Sequence, residues 1–279
     1  MLNIKEKAIN ELPHGFYIPI KPKILTQLQR LMRDNEAILA DFAKVISKDV
    51  SLSAEVLMNV NSALFSLETK ITDIQHAVFF IGKDAINSLA TAILFKRSFT
   101  ELDCCLSLER FWDDSKDIAY AMTFINQQLL SPLSGGDLYT IGLFHDCGIP
   151  AFSHKFSDYR ETLIKANRAE ENSTSLEENK YEVNHATVGY LIAMSWHLPE
   201  QVCNIILHHH DINFLSTTAN THEKLSYATL KLAENLVYRN KRHSEAPDWG
   251  QVKADILAIL EIDMDDYLEL EKYYISLIL

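Results

Sequence analysis

Apolar side chains recur along this chain at intervals of three and four residues, with polar residues between them. Ile38, Leu39, Phe42, Val45 and Ile46 share one helical face, while Asp41, Lys44 and Lys48 lie on the other. Thr72-Asp73-Ile74-Gln75 has the form of a capping box, opening a helix that should end near Gly82. A further helix is predicted from Asp84 to about Ser98. No segment alternates with the period of a strand, and no solenoid-type repeat is visible. The pattern predicts an all-α chain.

Periodicity weakens over residues 99 to 108, and a long helix begins around Glu109. That break places a boundary between an N-terminal helical unit, 1–105, and a second helical domain, 106–279. Within the latter, Ala169 to Lys180 is polar, acidic and short of apolar anchors. It is predicted to be a mobile surface loop.

Composition narrows the function classes. Hydrophobic residues make up 47% and charged residues 23%, enough for a folded core. Apolar runs such as Ala77-Val78-Phe79-Phe80-Ile81 are too short for a bilayer, and the N-terminus lacks a signal-peptide pattern. Four cysteines (Cys104, Cys105, Cys147, Cys203) form no Cys-x-x-Cys pair, as expected of reduced thiols in a cytoplasmic protein. Acids outnumber bases 38 to 26, giving a net charge of -12. That excess argues against nucleic acid and anionic membrane as partners.

The candidate chemistry lies in histidines whose helical phase turns them inward. Leu138, Ile141 and His145 share a face, and Asp146 lies above Gly142, which has no side chain to obstruct a ligand. Gly148 and Pro150 end that helix. His185 aligns with Gly189, Ile192 and Trp196, and Gly189 would admit a neighbouring helix closely. In the triplet after Pro199, His209 stacks over Ile205 and Val202, and His210 over Ile206 and Cys203. His208 shares its face with Asn204 and Gln201 and should meet water. Asp114 is in phase with Phe111, Ile118, Ala121 and Ile125, an expensive place for a carboxylate unless paired or metal-bound. Glu234, in phase with Leu230 and Val237, is a weaker candidate of the same kind. Each has an ordinary alternative, a hydrogen-bonded core histidine or an ion-paired aspartate; the joint pattern is more specific than any member.

These residues resemble a known family. Gly142-Leu143-Phe144-His145-Asp146-Cys147-Gly148 is similar to the motif of the HD metal-dependent phosphohydrolases. His185-Ala186-Thr187-Val188-Gly189, Trp196-His197-Leu198-Pro199-Glu200 and Ile206 through His210 narrow the resemblance to the HDOD domain, a bacterial signalling relative of the HD-GYP phosphodiesterases. The first domain adds Leu12-Pro13, Ile46 through Leu52, Asn61-Ser62-Ala63-Leu64-Phe65, Ile71-Thr72-Asp73-Ile74 and Ala77 through Gly82. The resemblance spans roughly residues 12 to 240. It implies an N-terminal helical bundle packed on an HD-type bundle. It also implies a site of His145, Asp146, His185, His209, His210 and Asp114 for one or two divalent ions (Mn, Fe, Zn, Ni or Mg), or none if the site has degenerated.

Departures bear on activity. Asp114 stands where metal-binding HD domains place a histidine, Ile149 where active HD-GYP enzymes place a lysine, and Asp211-Ile212-Asn213-Phe214 where Gly-Tyr-Pro would follow. Glu234 replaces the late aspartate. With no basic residue evident near the site to neutralise a phosphoryl group, the expectation is a signalling protein working mainly through a protein partner. The alternative is a phosphohydrolase acting on a nucleotide or cyclic dinucleotide, with Asp146 orienting the attacking water.

Overall fold

Side-chain caps mark where the helices begin. Asp49, Asp73, Ser107, Ser134, Asn184 and Asn220 each accept a hydrogen bond from a backbone N–H of the helix that follows. Such caps satisfy donors that a helix leaves unpaired at its N-terminus. The computed structural model describes residues 15–62, 69–100, 102–166 and 174–278. Leu12-Pro13, Ala63-Leu64-Phe65 and the first part of the acidic segment at 169–180 lie outside them.

The first helices are α1 (Lys23–Arg33), α2 (Leu39–Ile46), α3 (Val50–Val60) and α4 (Ile74–Arg97). Then come α5 (Leu108–Gln128), α6 (Gly135–Phe144), α7 (Gly148–Lys155), α8 (Tyr159–Ala166) and α9 (Ser175–Tyr181). The remainder are α10 (His185–Ser195), α11 (Glu200–His208), α12 (Phe214–Thr217), α13 (Thr221–Arg242), α14 (Trp249–Ile259) and α15 (Met264–Ile278). The described residues contain no strand, as the periodicity requires.

The first unit wraps α1, α2 and α3 around α4. Gly82, at φ 81° and ψ 171°, breaks α4 where the sequence places a helix end. By length and hydropathy α4 could cross a membrane, but its second half is committed elsewhere. Ile86, Leu89, Ala90, Ile93, Leu94 and Phe95 are buried in the core. Asn61 exchanges hydrogen bonds with the backbone of Ile71, its Nδ2 donating at 2.7 Å and its Oδ1 accepting at 2.8 Å. This ties the end of α3 to the approach of α4.

Phe95 is the hub of the seam to the second unit. Its ring lies 4.5 Å from Phe144 of α6, 5.1 Å from Trp196 beyond α10 and 5.7 Å from Trp112 of α5. Trp196 Nε1 in turn donates to the Pro19 carbonyl at 2.8 Å. The hydrophobic core therefore runs continuously from α1 to α15.

In the second unit α5 packs on α6 and α13, and α10 on α7 and α11. Two glycines permit these approaches. A Cβ on Gly142 would stand 2.5 Å from Ala119 Cα, so this position clears space for the α5 backbone rather than for a ligand. A Cβ on Gly148 would stand 2.0 Å from the His185 carbonyl oxygen. Because the obstacle is backbone, Gly148→Ala should cost at least the about 1–3 kcal/mol of an overpacked core. A wild-type midpoint in urea unfolding would refute this.

Candidate metal centre and adjoining cavity

Three helix boundaries carry the candidate residues. His145 caps the C-terminus of α6, with Asp146 next in the turn to α7; His185 is the first residue of α10; His209 and His210 follow the last turn of α11. His145, His185 and His209 are buried, whereas Asp146 keeps 28% of its side chain exposed toward a cavity.

The buried rings are fixed by their far nitrogens. His145 Nδ1 donates to the Gly142 carbonyl at 2.7 Å, and His209 Nδ1 to the Ile206 carbonyl at 2.8 Å. Both carbonyls belong to last helical turns, where acceptors lack intrahelical partners. A carbonyl only accepts, so each Nδ1 carries the proton and each Nε2 of the neutral ring presents a lone pair. His185 Nδ1 lies 2.8 Å from Glu177 Oε2, which imposes the same tautomer.

All three Nε2 atoms converge on Asp146. His185 and His209 lie 3.1 Å from Oδ1, and His145 lies 3.3 Å from Oδ2. His185 Nε2 is also 3.4 Å from His209 Nε2 and 3.1 Å from His210 Nε2. The ligand atoms of Asp146, His185, His209 and His210 lie within 4.8 Å of one another. Lone pairs at these separations repel unless positive charge stands among them. Spacings of 3.1–3.4 Å fit donors that share an ion at about 2.0–2.2 Å, at right-angled to tetrahedral angles. The donor set thus fits a divalent cation.

Without a cation, protons supply the charge. Burial opposes a charged His185, but Glu177 and Asp146 overcome it and push its pKa up to about 10. Burial likewise opposes ionisation of Asp146, yet the adjacent His145 and the bonds from His185 and His209 hold its carboxyl well below the usual range. Burial pushes His209 down to about 4 and His210 well below the ordinary histidine value, both rings facing charged neighbours.

The other expected residues sit differently. His208 stacks on Phe214 with ring centroids 5.0 Å apart, and is half-buried rather than in water. Asp114 is not one of the four converging residues. The buried stripe of α5 runs through Trp112, Ser115, Ala119 and Met122, turning Asp114 about one position away from the core. Its carboxylate pairs with Lys241 of α13 at 2.6 Å and is 49% exposed. Glu234 approaches His145 Nε2 at 3.8 Å through one oxygen and binds Lys231 at 2.8 Å through the other.

Two residues beside the site escape sequence reasoning. The acidic segment predicted as a loop contains α9, whose Glu177 is wholly buried against His185. Nothing in its local sequence marks that glutamate among its acidic neighbours. Lys231 corrects the expectation that no base stands near the site. It is buried between Glu234 and Asp248, at 2.8 and 2.7 Å, and burial disfavours its charge, but the two carboxylates raise its pKa. A signal existed here. Lys231, Glu234, Tyr238 and Lys241 repeat at helical spacing along α13 and form one wall.

That wall bounds a cavity of about 500 Å³ beside Asp146. Arg110, Arg160, Lys231, Lys241 and Arg242 line it against the carboxylates of Asp114, Asp146, Glu234 and Asp248. Five bases to four acids reverses the chain-wide balance of 26 to 38. Ile149 lies in the apolar part of this lining.

The HDOD domain profile matches residues 18–212. The chain belongs to the HDOD family. An uncharacterized protein of Treponema pallidum (strain Nichols) is 30% identical over 199 residues, which cover 70% of this chain and 38% of that protein's length. An HDOD domain protein of unknown function from Geobacter sulfurreducens has a similar fold, with TM-score 0.69, 20% identity and coverage of 99% and 97% of the two chains. A Shewanella amazonensis SB2B protein, provisionally named a metal-dependent phosphohydrolase, superposes with TM-score 0.62 at 19% identity, covering 98% and 97%. A Marinobacter aquaeolei VT8 protein, provisionally named for signal transduction, gives TM-score 0.72 at 17% identity over 99% of this chain and 62% of that one. At these identities the structural likenesses establish the HDOD fold.

Proposed function

We propose that this HDOD protein is a metal-binding regulator. Asp146, His185, His209 and His210 hold one divalent cation, and the adjoining cavity receives a phosphorylated small molecule whose occupancy is signalled to a protein partner. The observation that carries this reading is the convergence of the His185 and His209 Nε2 lone pairs on Asp146, their Nδ1 protons engaged elsewhere, with His210 Nε2 3.1 Å from His185 Nε2. Three imidazoles and one carboxylate suit Mn, Fe, Ni or Zn better than Mg, which prefers oxygen ligands and water. Large apolar side chains left exposed on the N-terminal helices, including Val50, Met58 and Phe79, are suited to a protein contact.

The phosphohydrolase reading draws support from Lys231, a buried cation on the cavity wall close to His145 through Glu234. A bound cation would supply Lewis acidity and an activated water. Of the chain's own groups, Lys231 would offset charge on a phosphoryl oxygen, and Arg110 and Arg160 would orient the ligand. Both arginines are exposed on the cavity lining.

Elemental analysis of the purified protein, paired with phosphomonoester and phosphodiester assays, tests both readings. Stoichiometric metal without turnover supports the regulator. Metal-dependent turnover that disappears in a His145→Ala, Asp146→Ala double variant supports the enzyme, and persistent absence of metal after loading refutes both. Ligand recognition has its own check. Arg110→Ala and Arg160→Ala should each weaken binding of a stabilising phosphorylated compound by about 10–100-fold, the value of a charged hydrogen bond. Unchanged affinity in both variants would exclude the cavity as its site.

A further inference from the structure

We propose that Glu177 is the positioning residue that makes His185 a metal ligand, with Tyr159 as its anchor. This inference rests on the metal-binding reading above. It assigns a role to α9, a segment whose sequence has no counterpart among the residues carrying the HD resemblance.

The geometry is specific. Glu177 is wholly buried, and its Oε2 accepts the backbone N–H of His185 at 2.8 Å. The same carboxylate engages His185 Nδ1, 2.9 Å from Oε1 and 2.8 Å from Oε2. One side chain thus fixes both where the first residue of α10 begins and which way its ring faces. A carboxylate at a helix N-terminus is favoured by unpaired amide donors and by the helix dipole. Tyr159, also buried, donates its hydroxyl to Glu177 Oε1 at 2.6 Å, closing the remaining side. The described partners of Glu177 include no lysine or arginine.

A buried carboxylate with no lysine or arginine beside it is costly even when hydrogen-bonded, so its retention calls for positive charge at His185 or beyond it. Asp146 on one side of His185 and Glu177 on the other place two negative groups around an imidazole. One divalent cation among the Nε2 atoms balances two carboxylates. With the ion in place, the Nδ1 proton remains on the bond to Glu177, strengthening His185 as a donor and fixing its ring. His145 and His209 are held instead by backbone carbonyls. His185 alone among these three depends on a side chain, so its alignment depends on whether α9 is docked.

Cobalt(II) titration of the full chain tests the proposal, followed by calorimetry and by the visible absorption of the bound ion. Glu177→Gln keeps the shape and removes the charge; Tyr159→Phe removes only the anchoring bond. Val252→Ala, a core truncation on α14, serves as the destabilised control. Glu177→Gln is expected to weaken cobalt binding by about 10–100-fold and to alter the absorption envelope. Tyr159→Phe should shift both in the same direction by less, and Val252→Ala should leave both unchanged. Wild-type binding with no change in Glu177→Gln overturns this inference alone. A wild-type chain that takes up no cobalt overturns the metal-binding reading and this inference with it. Equal loss in Val252→Ala would assign the effect to general destabilisation and also overturn it.

Discussion

Asp146→Ala is expected to leave the purified protein without stoichiometric divalent metal. Asp146 is the one carboxylate among the four converging residues, and three imidazole Nε2 atoms lie within 3.3 Å of its oxygens. Removing it takes away both a donor and the negative charge that offsets a cation's desolvation. The loss of affinity should exceed the about 10–100-fold typical of residues that only support a ligand. Elemental analysis and calorimetry on the folded variant measure it directly. Retention of wild-type stoichiometry and affinity would show that the Asp146 cluster is not the metal centre. Asp114→Ala provides the internal contrast. Its carboxylate is engaged by Lys241 in the cavity lining, outside the four converging residues, so metal content should remain that of the wild type.

The second large effect is on stability. Lys231→Met is expected to lower the unfolding free energy by about 3–5 kcal/mol, because it leaves Glu234 and Asp248 without the buried cation they share. Burial already pushes the Glu234 pKa up despite Lys231 beside it. Urea unfolding gives the magnitude. Adding Glu234→Gln and Asp248→Asn to Lys231→Met should recover most of the loss, since no uncompensated charge is then buried. A single-variant loss below about 1 kcal/mol would mean that solvent already screens the triad as it does a surface pair.

The two predictions separate binding from scaffolding. Asp146 stands in the proposed cation site, and its replacement reports on what the protein holds. Lys231 joins α13 to the residues before α14 and contributes to whether the cavity wall stands at all.

Much of the fold was legible in the sequence because its signals are local. The helix start near Thr72-Asp73, where Asp73 rather than Thr72 supplies the cap, the break at Gly82 and the three-to-four spacing of apolar residues depend on neighbours within a turn or two. Helical phase also separated His208 from His209 and His210, since helical backbone carried one residue past α11 still turns successive side chains by about 100°. The same reasoning misjudged Asp114. Phe111, Ile118, Ala121 and Ile125 define an apolar stripe, and Ala121 and Ile125 are buried as it requires, but nearer the start of α5 Trp112, Ser115 and Ala119 take the core-facing positions, with α6 close against Ala119. Phe111 and Ile118 line the cavity instead, and Asp114 finds Lys241 there, 127 positions along the chain.

By itself, then, the sequence determined an all-α chain, HDOD membership and the inward facing of His145, His185 and His209. Only the tertiary structure decided which charged groups share an environment. It drew Glu177 from an acidic segment into the core behind His185, and set Lys231 between Glu234 and Asp248. It also gathered five bases around one cavity of an acidic protein. Periodicity reports the direction a side chain takes from its own helix. The energy of a buried charge depends on what other helices bring within a few ångströms of it, and no local pattern encodes that.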